Sequence, residues 1–158
     1  MPTHAEKKRL PYSTEQMFDL VADVERYPEF LPWCTAVRIR RRLGPNVFIA
    51  DMMIGFKAVR ERFTSRVVLD RPNRIHVSYH EGPFKYLNNH WVFEPQDNGD
   101  CLIDFYVDFE FRSRLLQKVV ARLFNEAVLR MVRAFEKRAS QLYGAVDQEP
   151  DGARLARN

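Results

Sequence analysis

The chain has 158 residues, a net charge of +4 and 46% hydrophobic residues, the size and balance of one soluble globular domain that buries roughly two-thirds of its unfolded surface. It has no run of ~18 apolar residues, which excludes a membrane-spanning helix, and Met1 to Leu10 is polar and charged, so no signal peptide or Arg- and Ser-rich presequence is expected there. Its two cysteines, Cys34 and Cys101, form no metal-ligand or redox motif and read as small apolar groups in a reducing compartment.

Residues 4–10 are a short charged segment, expected to form an edge strand. Ser13 then starts a helix: its hydroxyl can accept from the early backbone N–H groups, and Gln16 stands three residues on, the spacing of a capping box. Met17, Leu20, Val21 and Val24 supply an apolar stripe at helical spacing. Pro28 interrupts it, and Glu29 to Leu31 are expected to form a second short helical turn that Pro32 ends.

From Thr35 to Phe111 the period becomes that of strands. Val37, Ile39 and Leu43 alternate with Arg38, Arg40 and Arg42, and Gly44-Pro45-Asn46 is a turn. Asn46 to Gly55 and Ala58 to Leu69 are the next strands. Arg71-Pro72-Asn73 turns the chain, and Arg74 to Glu81 and Tyr86 to Glu94 follow, separated by Gly82-Pro83. Asp97-Asn98-Gly99 is a hairpin signal. In the last strand Cys101, Ile103, Phe105, Val107, Phe109 and Phe111 point one way and Asp100, Asp104, Asp108 and Glu110 the other, so one face is buried and one is wet. Turns this short leave no room for crossover helices, which makes the sheet antiparallel.

Arg112 to Tyr143 reads as one helix of about 30 residues, ~45 Å long. Leu116, Val119, Val120, Leu123, Phe124, Ala127, Val128, Met131, Phe135 and Leu142 recur along it at three- and four-residue spacing, and Gly144 stops it. Residues 145–158 are expected to be a disordered tail, which leaves residues 1–144 as the domain. Strand, helices, about six strands and a long helix make an α+β architecture: a curved antiparallel sheet of six or seven strands, two short helices after the first strand, and a long C-terminal helix that closes the sheet over a cavity.

The stretch Asp23 to Cys34 (DVERYPEFLPWC) resembles the signature of the coenzyme Q-binding START-domain family, which includes mitochondrial quinone chaperones and bacterial relatives named ribosome association toxin. Glu81 to Leu87 (EGPFKYL), Val107 to Phe111 (VDFEF) and Met131 to Ala139 (MVRAFEKRA) match in the same order. The resemblance implies a helix-grip fold of the polyketide cyclase/START-like kind and a hydrophobic tunnel for a polyprenyl quinone such as ubiquinone. It implies support of respiratory electron transfer without chemistry on the quinone, no obligatory cofactor and no DNA partner. The toxin-named relatives imply instead binding to the large ribosomal subunit and a block of subunit association. Mitochondrial members carry a presequence that this chain does not show, which points to a bacterial, cytoplasmic protein that meets its lipid at the inner face of the inner membrane.

The pocket candidates on inward strand positions are Phe63, Tyr79, Trp91, Phe93, Phe105 and Phe109. Trp33 and Phe84 sit at Pro-rich turns where a mouth is expected, and Phe124, Val128, Met131 and Phe135 come from the long helix; the alternative is that all are ordinary core. Glu61 alternates with Val59, Phe63 and Val67 on the apolar side, where a carboxylate is costly unless paired. It either accepts a hydrogen bond from a ligand hydroxyl or pairs with a basic side chain such as Lys57. Arg38, Arg40 and Arg42 share one side of a strand and Arg60, Arg62 and Arg66 one side of another. They form a docking patch for anionic lipid headgroups or ribosomal RNA, or simply a solvated face.

No catalytic or metal-binding residue is assigned. The sequence has no Gly-rich phosphate loop, G-x-S-x-G or H-E-x-x-H, and Cys34 has no identifiable histidine partner. His76 and His80 read as surface residues, His90 as exposed or as a proton shuttle, and the carboxylates of the last strand as a solvated face. Each buried CH₂ is worth ~0.8 kcal/mol, so a long isoprenoid tail leaves a bilayer only for another apolar space. A pocket of ~300–1,000 Å³ would enclose the ring and the first few isoprenes and leave the rest outside.

Overall fold

The computed structural model describes residues 3–57 and 59–144, and the expected tail lies outside them. In chain order it holds β1 (Thr3–Leu10), α1 (Thr14–Ala22), a 3-10 helix (Val24–Glu29), β2 (Cys34–Gly44), β3 (Val47–Phe56), β4 (Val59–Asp70), β5 (Arg74–Glu81), β6 (Phe84–Pro95), β7 (Cys101–Phe111) and α2 (Arg114–Tyr143). The capping box at Ser13 is formed: its hydroxyl accepts from Gln16 N at 3.1 Å, and Gln16 Oε1 accepts from Ser13 N at 3.0 Å. The second short helix is Val24–Glu29 rather than Glu29 to Leu31, and Pro28 lies inside it. A 3-10 turn tolerates that proline because only one short backbone bond is lost; beyond it the N–H groups of Phe30 and Leu31 both reach the Tyr27 carbonyl.

The seven strands make one antiparallel curved sheet in the order β1-β7-β6-β5-β4-β3-β2. β1 and β2 therefore occupy opposite edges, and the chain between them must cross the full width of the sheet. α1 and the 3-10 helix make that crossing, with α1 packed over β5, β6 and β7. Met17, Phe18 and Val21 are all but inaccessible, and the Phe18 ring meets Phe93 edge-on at 5.7 Å.

α2 lies along the same inner face. Ser113 caps it, accepting from Leu116 N at 3.1 Å, and Gly144 ends it at a φ of +84°, with its N–H on the Ser140 carbonyl. The fully buried side chains of α2 begin at Val128, midway along it, and continue with Met131, Phe135 and Ala139. Its last turn is fastened to α1 by the Tyr143 hydroxyl, which donates to the Gln16 carbonyl at 3.0 Å. Leu142, expected on the apolar stripe, is 51% exposed: Ala139 and Tyr143, four residues apart, hold the packed face, and Leu142, next to Tyr143 in the chain, is turned away from it.

Candidate functional site

A cavity of about 250 Å³ lies between the inner face of the sheet and α2, partly open to the outside. It forms because the two ends of the sheet are filled differently. At the end that holds the β4–β5 and β6–β7 turns, α1 and the second half of α2 supply side chains enough to pack the space. At the other end stand the β3–β4 and β5–β6 turns, the β7–α2 junction and the lead-in to β2. There only the first half of α2 covers the sheet. Its Val120, Leu123, Phe124 and Ala127 line the cavity while remaining half-buried.

Ten of the twelve pocket candidates stand in this wall. Phe63 comes from β4, Phe84 and Trp91 from β6, Phe105 and Phe109 from β7, and Trp33 from the lead-in to β2. Phe124, Val128, Met131 and Phe135 come from α2. Gly82 brings the β5–β6 turn so close that a Cβ there would stand 2.8 Å from that of Phe63, at a φ of +143° that L-residues avoid. Two candidates lie elsewhere. Phe93 faces inward but sits under α1 against Phe18. Tyr79 packs beside Phe84 at 5.5 Å, its hydroxyl accepting from Phe84 N at 3.2 Å, outside the wall.

The wall carries no charged side chain. Glu61 is half-buried between Val59 and Phe63 on the strand but does not line the space, and Lys57 pairs with Glu126 of α2 at 3.3 Å instead of with Glu61. Besides the Tyr27 hydroxyl, which donates to the Val21 carbonyl, and the Trp91 N–H, three polar groups of the wall are ones that the sequence reading did not name as such. Ser65 is buried in the wall. Asn89 donates from Nδ2 to the Tyr106 carbonyl at 2.8 Å and accepts from Trp91 Nε1 at 3.2 Å. Trp33 Nε1 is buried with no hydrogen-bond partner among the described residues, a condition that costs ~1–3 kcal/mol until something accepts from it. Strand parity was the available signal: Ser65 alternates with Phe63, and Asn89 with Trp91.

The model of the family described as polyketide cyclase / dehydrase and lipid transport matches residues 10–136. The chain belongs to that family. Among its relatives in this family, the ribosome association toxin RatA of Escherichia coli K12 is 38% identical over 145 residues, 92% of this chain and 91% of the toxin. The mitochondrial coenzyme Q-binding protein COQ10 homolog B of Xenopus laevis is 37% identical, over 89% of this chain and 59% of its own length. Among solved structures, the 18 kDa protein CC1736 of Caulobacter crescentus is 40% identical over 92% of this chain and 100% of its own, with a TM-score of 0.76. The Zhui aromatase/cyclase of Streptomyces sp. R1128 has a TM-score of 0.79 at 15% identity over 92% of this chain and 97% of its own, a likeness of fold alone. The START-like helix-grip fold is thus shared by proteins with differently named activities, and each site must be argued from its own side chains.

In this member of the family the wall offers no acid–base pair, and no group of three or more metal-ligating side chains stands together among the described residues. Both cysteines are buried and free, and burial pushes each thiol up to about 12, which leaves them protonated at neutral pH. On the outer face of the sheet, Asp51 is 6% exposed and is held by the Thr64 hydroxyl at 2.6 Å, Arg38 at 3.0 Å and Arg40 at 3.2 Å. Burial opposes its ionisation; the Thr64 hydrogen bond and the two guanidinium groups outweigh it and hold the carboxyl below its ordinary value. Arg40 also reaches Glu81 at 2.9 Å. The expected stripe of Arg38, Arg40 and Arg42 is broken by a bulge between Ile39 and Arg41. The bulge shifts the alternation by one residue, so Arg41 continues the outer face, while Arg42 turns to the inner side and lies over the Phe48 ring at 5.6 Å.

Proposed function

We propose that this protein binds a prenyl quinone, ubiquinone or a close relative, in the cavity under the first half of α2 and carries it in support of respiration without transforming it. The observation that carries this reading is an uncharged, aromatic-rich cavity roofed by α2, whose lining residues before Val128 are only half-buried. Its volume of about 250 Å³ suits a ring and a first isoprene or two; the remaining tail would stay in a bilayer, where each CH₂ is worth ~0.8 kcal/mol relative to water. Quinone carbonyls accept hydrogen bonds, and the buried Trp33 N–H and the Ser65 hydroxyl are donors of the matching kind. The relative named as coenzyme Q-binding supports the same class of ligand. No cofactor is required for such a role.

Exchange with a membrane would take place at the hollow end. From Arg112 to Asn125 the chain carries Arg112, Arg114, Lys118 and Arg122 and no acidic residue, and Leu115 is 74% exposed. A basic amphipathic segment of that kind settles on anionic lipid. The latch beside it is weak: the half-exposed Lys57–Glu126 pair and Arg130 over Phe56 at 5.5 Å tie the β3–β4 turn to α2, at a worth of ~0–1 kcal/mol for such a pair. We place the protein in the bacterial cytoplasm, in peripheral contact with the inner membrane. Organic extraction of the purified protein followed by mass spectrometry, with uptake from quinone-loaded vesicles, is the test. A stoichiometric prenyl quinone supports the reading; no quinone and no uptake defeats it.

A second reading is a ribosome-binding regulator that keeps the subunits apart. Relatives named ribosome association toxin support it, and so does an outer sheet face divided by charge: arginines on β2 to β4, and Asp104, Asp108 and Glu110 on β7. Co-sedimentation with the large subunit and a loss of joined subunits in sucrose gradients are expected on this reading, and unchanged gradients at excess protein oppose it.

A further inference from the structure

The outer face of β2 to β4 is separated from the cavity by the sheet itself, and its chemistry is different. Register puts six arginines on it. Arg38 and Arg40 are engaged by Asp51 and Glu81. Arg41, Arg60, Arg62 and Arg66 are exposed, and none has an ion pair or hydrogen bond from its side chain among the described residues. Arg41 and Arg66 flank Ile49 in register. Ile49 is only 7% exposed although it lies on this outer side and belongs to neither core cluster. Long arginine stems can cover an apolar neighbour in this way while their charged heads stay in water. Arg60 lies across Gly55, its Nη1 2.9 Å from where a Cβ would stand. Along β4, Arg60, Arg62 and Arg66 are spaced at ~6.6 and ~13 Å.

Several features choose the partner. β2 to β5 contain no lysine; the cations are all guanidinium forks, which suit bidentate contact with phosphate oxygens. Among the described residues of β2 to β4 the large exposed apolar side chains are Met53 and, at the irregular end of β2, Leu43, too sparse a set to insert into lipid. A bilayer docked here would also face away from the cavity mouth. Finally, Asp51 and Glu81 are already neutralised by Arg38 and Arg40, which leaves the other four arginines to an external anion.

We propose that the outer face of β2 to β4 is a docking surface for the phosphate backbone of structured RNA, with Arg41, Arg60, Arg62 and Arg66 as its contacts. This rests on the second reading above and is independent of the quinone. The test compares the full chain with its R41Q/R60Q/R62Q/R66Q variant against three probes: a 20-base-pair RNA duplex, purified large ribosomal subunits, and phosphatidylglycerol vesicles. Circular dichroism checks the fold, which the variant should keep because these side chains have no ion-pair or hydrogen-bond partner to lose among the described residues and Gln retains part of the aliphatic stem. The expected result is a fall of about 10²–10³-fold in affinity for the duplex and the subunit, with the slope of log K against log salt shallower by about one per arginine removed, and unchanged vesicle binding. If the variant holds the large subunit as tightly as the unaltered chain, the surface is wrong and the ribosome reading survives. If vesicle binding falls and RNA binding does not, the face belongs to lipid and the proposal is overturned. If the unaltered chain binds neither duplex nor subunit, the surface and the ribosome reading fall together.

Discussion

The two halves of α2 share a helix and a sheet face yet differ in what lies beneath them. From its midpoint at Val128 onward the helix buries Val128, Met131, Phe135 and Ala139 and is fastened to α1 through Tyr143. Before Val128 it buries nothing fully, carries only cations ahead of Glu126, and covers the open part of the cavity, whose wall Val128, Met131 and Phe135 continue. The difference comes from α1: the helix that must cross the sheet from β1 to β2 fills one end and leaves the other with a single layer of helix to cover it. Stability and ligand capacity are thereby assigned to opposite ends of one small core.

Substitutions at the two ends should separate these properties. The largest stability loss is expected from Phe93→Ala, which opens a void beneath Phe18 at the packed end and should cost ~3–5 kcal/mol in denaturant titrations. Phe124→Ala deletes a ring of the same size from a half-buried position beside existing space and should cost ~1 kcal/mol or less, while lowering quinone uptake. Equal costs would erase the distinction between the ends.

A loss of intermediate size is expected from Asp51→Asn, which touches neither end and should cost ~1–2 kcal/mol by weakening its bonds to Thr64, Arg38 and Arg40. The folded-state pKa of Asp51 is depressed below its ordinary 3.8. Its contribution is therefore fully present above 3.8 and is lost as pH falls through the lower folded value. The gap between the two proteins should be flat from pH 5 to 7 and close on further acidification; a gap that persists in acid would contradict the assignment. The smallest stability effect belongs to the pair Lys118→Gln with Arg122→Gln, within ~0.5 kcal/mol of the unaltered chain. The same variant should bind phosphatidylglycerol vesicles more weakly, by ~1 kcal/mol per charge. Undiminished vesicle binding would remove the first half of α2 from the membrane contact.

Much of this was legible before any coordinates. The capping box at Ser13, the period-two alternation of β7 and the long apolar stripe of α2 are local patterns, and they specify an antiparallel sheet under a helix. Strand parity brought ten pocket candidates to one wall because inward positions on a curved sheet converge. The failures are non-local. Phe93 and Tyr79 have the right parity, but only the path of α1 and the packing around Phe84 decide that they stand outside the cavity. The bulge after Ile39 has no composition signal, yet it exchanges Arg42 for Arg41 on the outer face. Pro28 breaks an α-helix but not the 3-10 turn that forms there, and which of the two forms is not decided by the local pattern. Trp33 was read as an aromatic wall; its unpaired N–H emerges only when the groups around it are assembled.

Both tryptophans of the chain, Trp33 and Trp91, stand in the cavity wall, which makes their fluorescence a direct reporter of that space. Titration with a ubiquinone carrying two isoprene units, compared between the unaltered chain and Ala127→Phe, which fills the cavity from α2, tests the central claim most directly. Saturable quenching at one quinone per chain, abolished in the folded Ala127→Phe protein, is the result this account requires. Linear, unsaturated quenching that is the same in both proteins would show that the space beneath α2 does not hold the ligand.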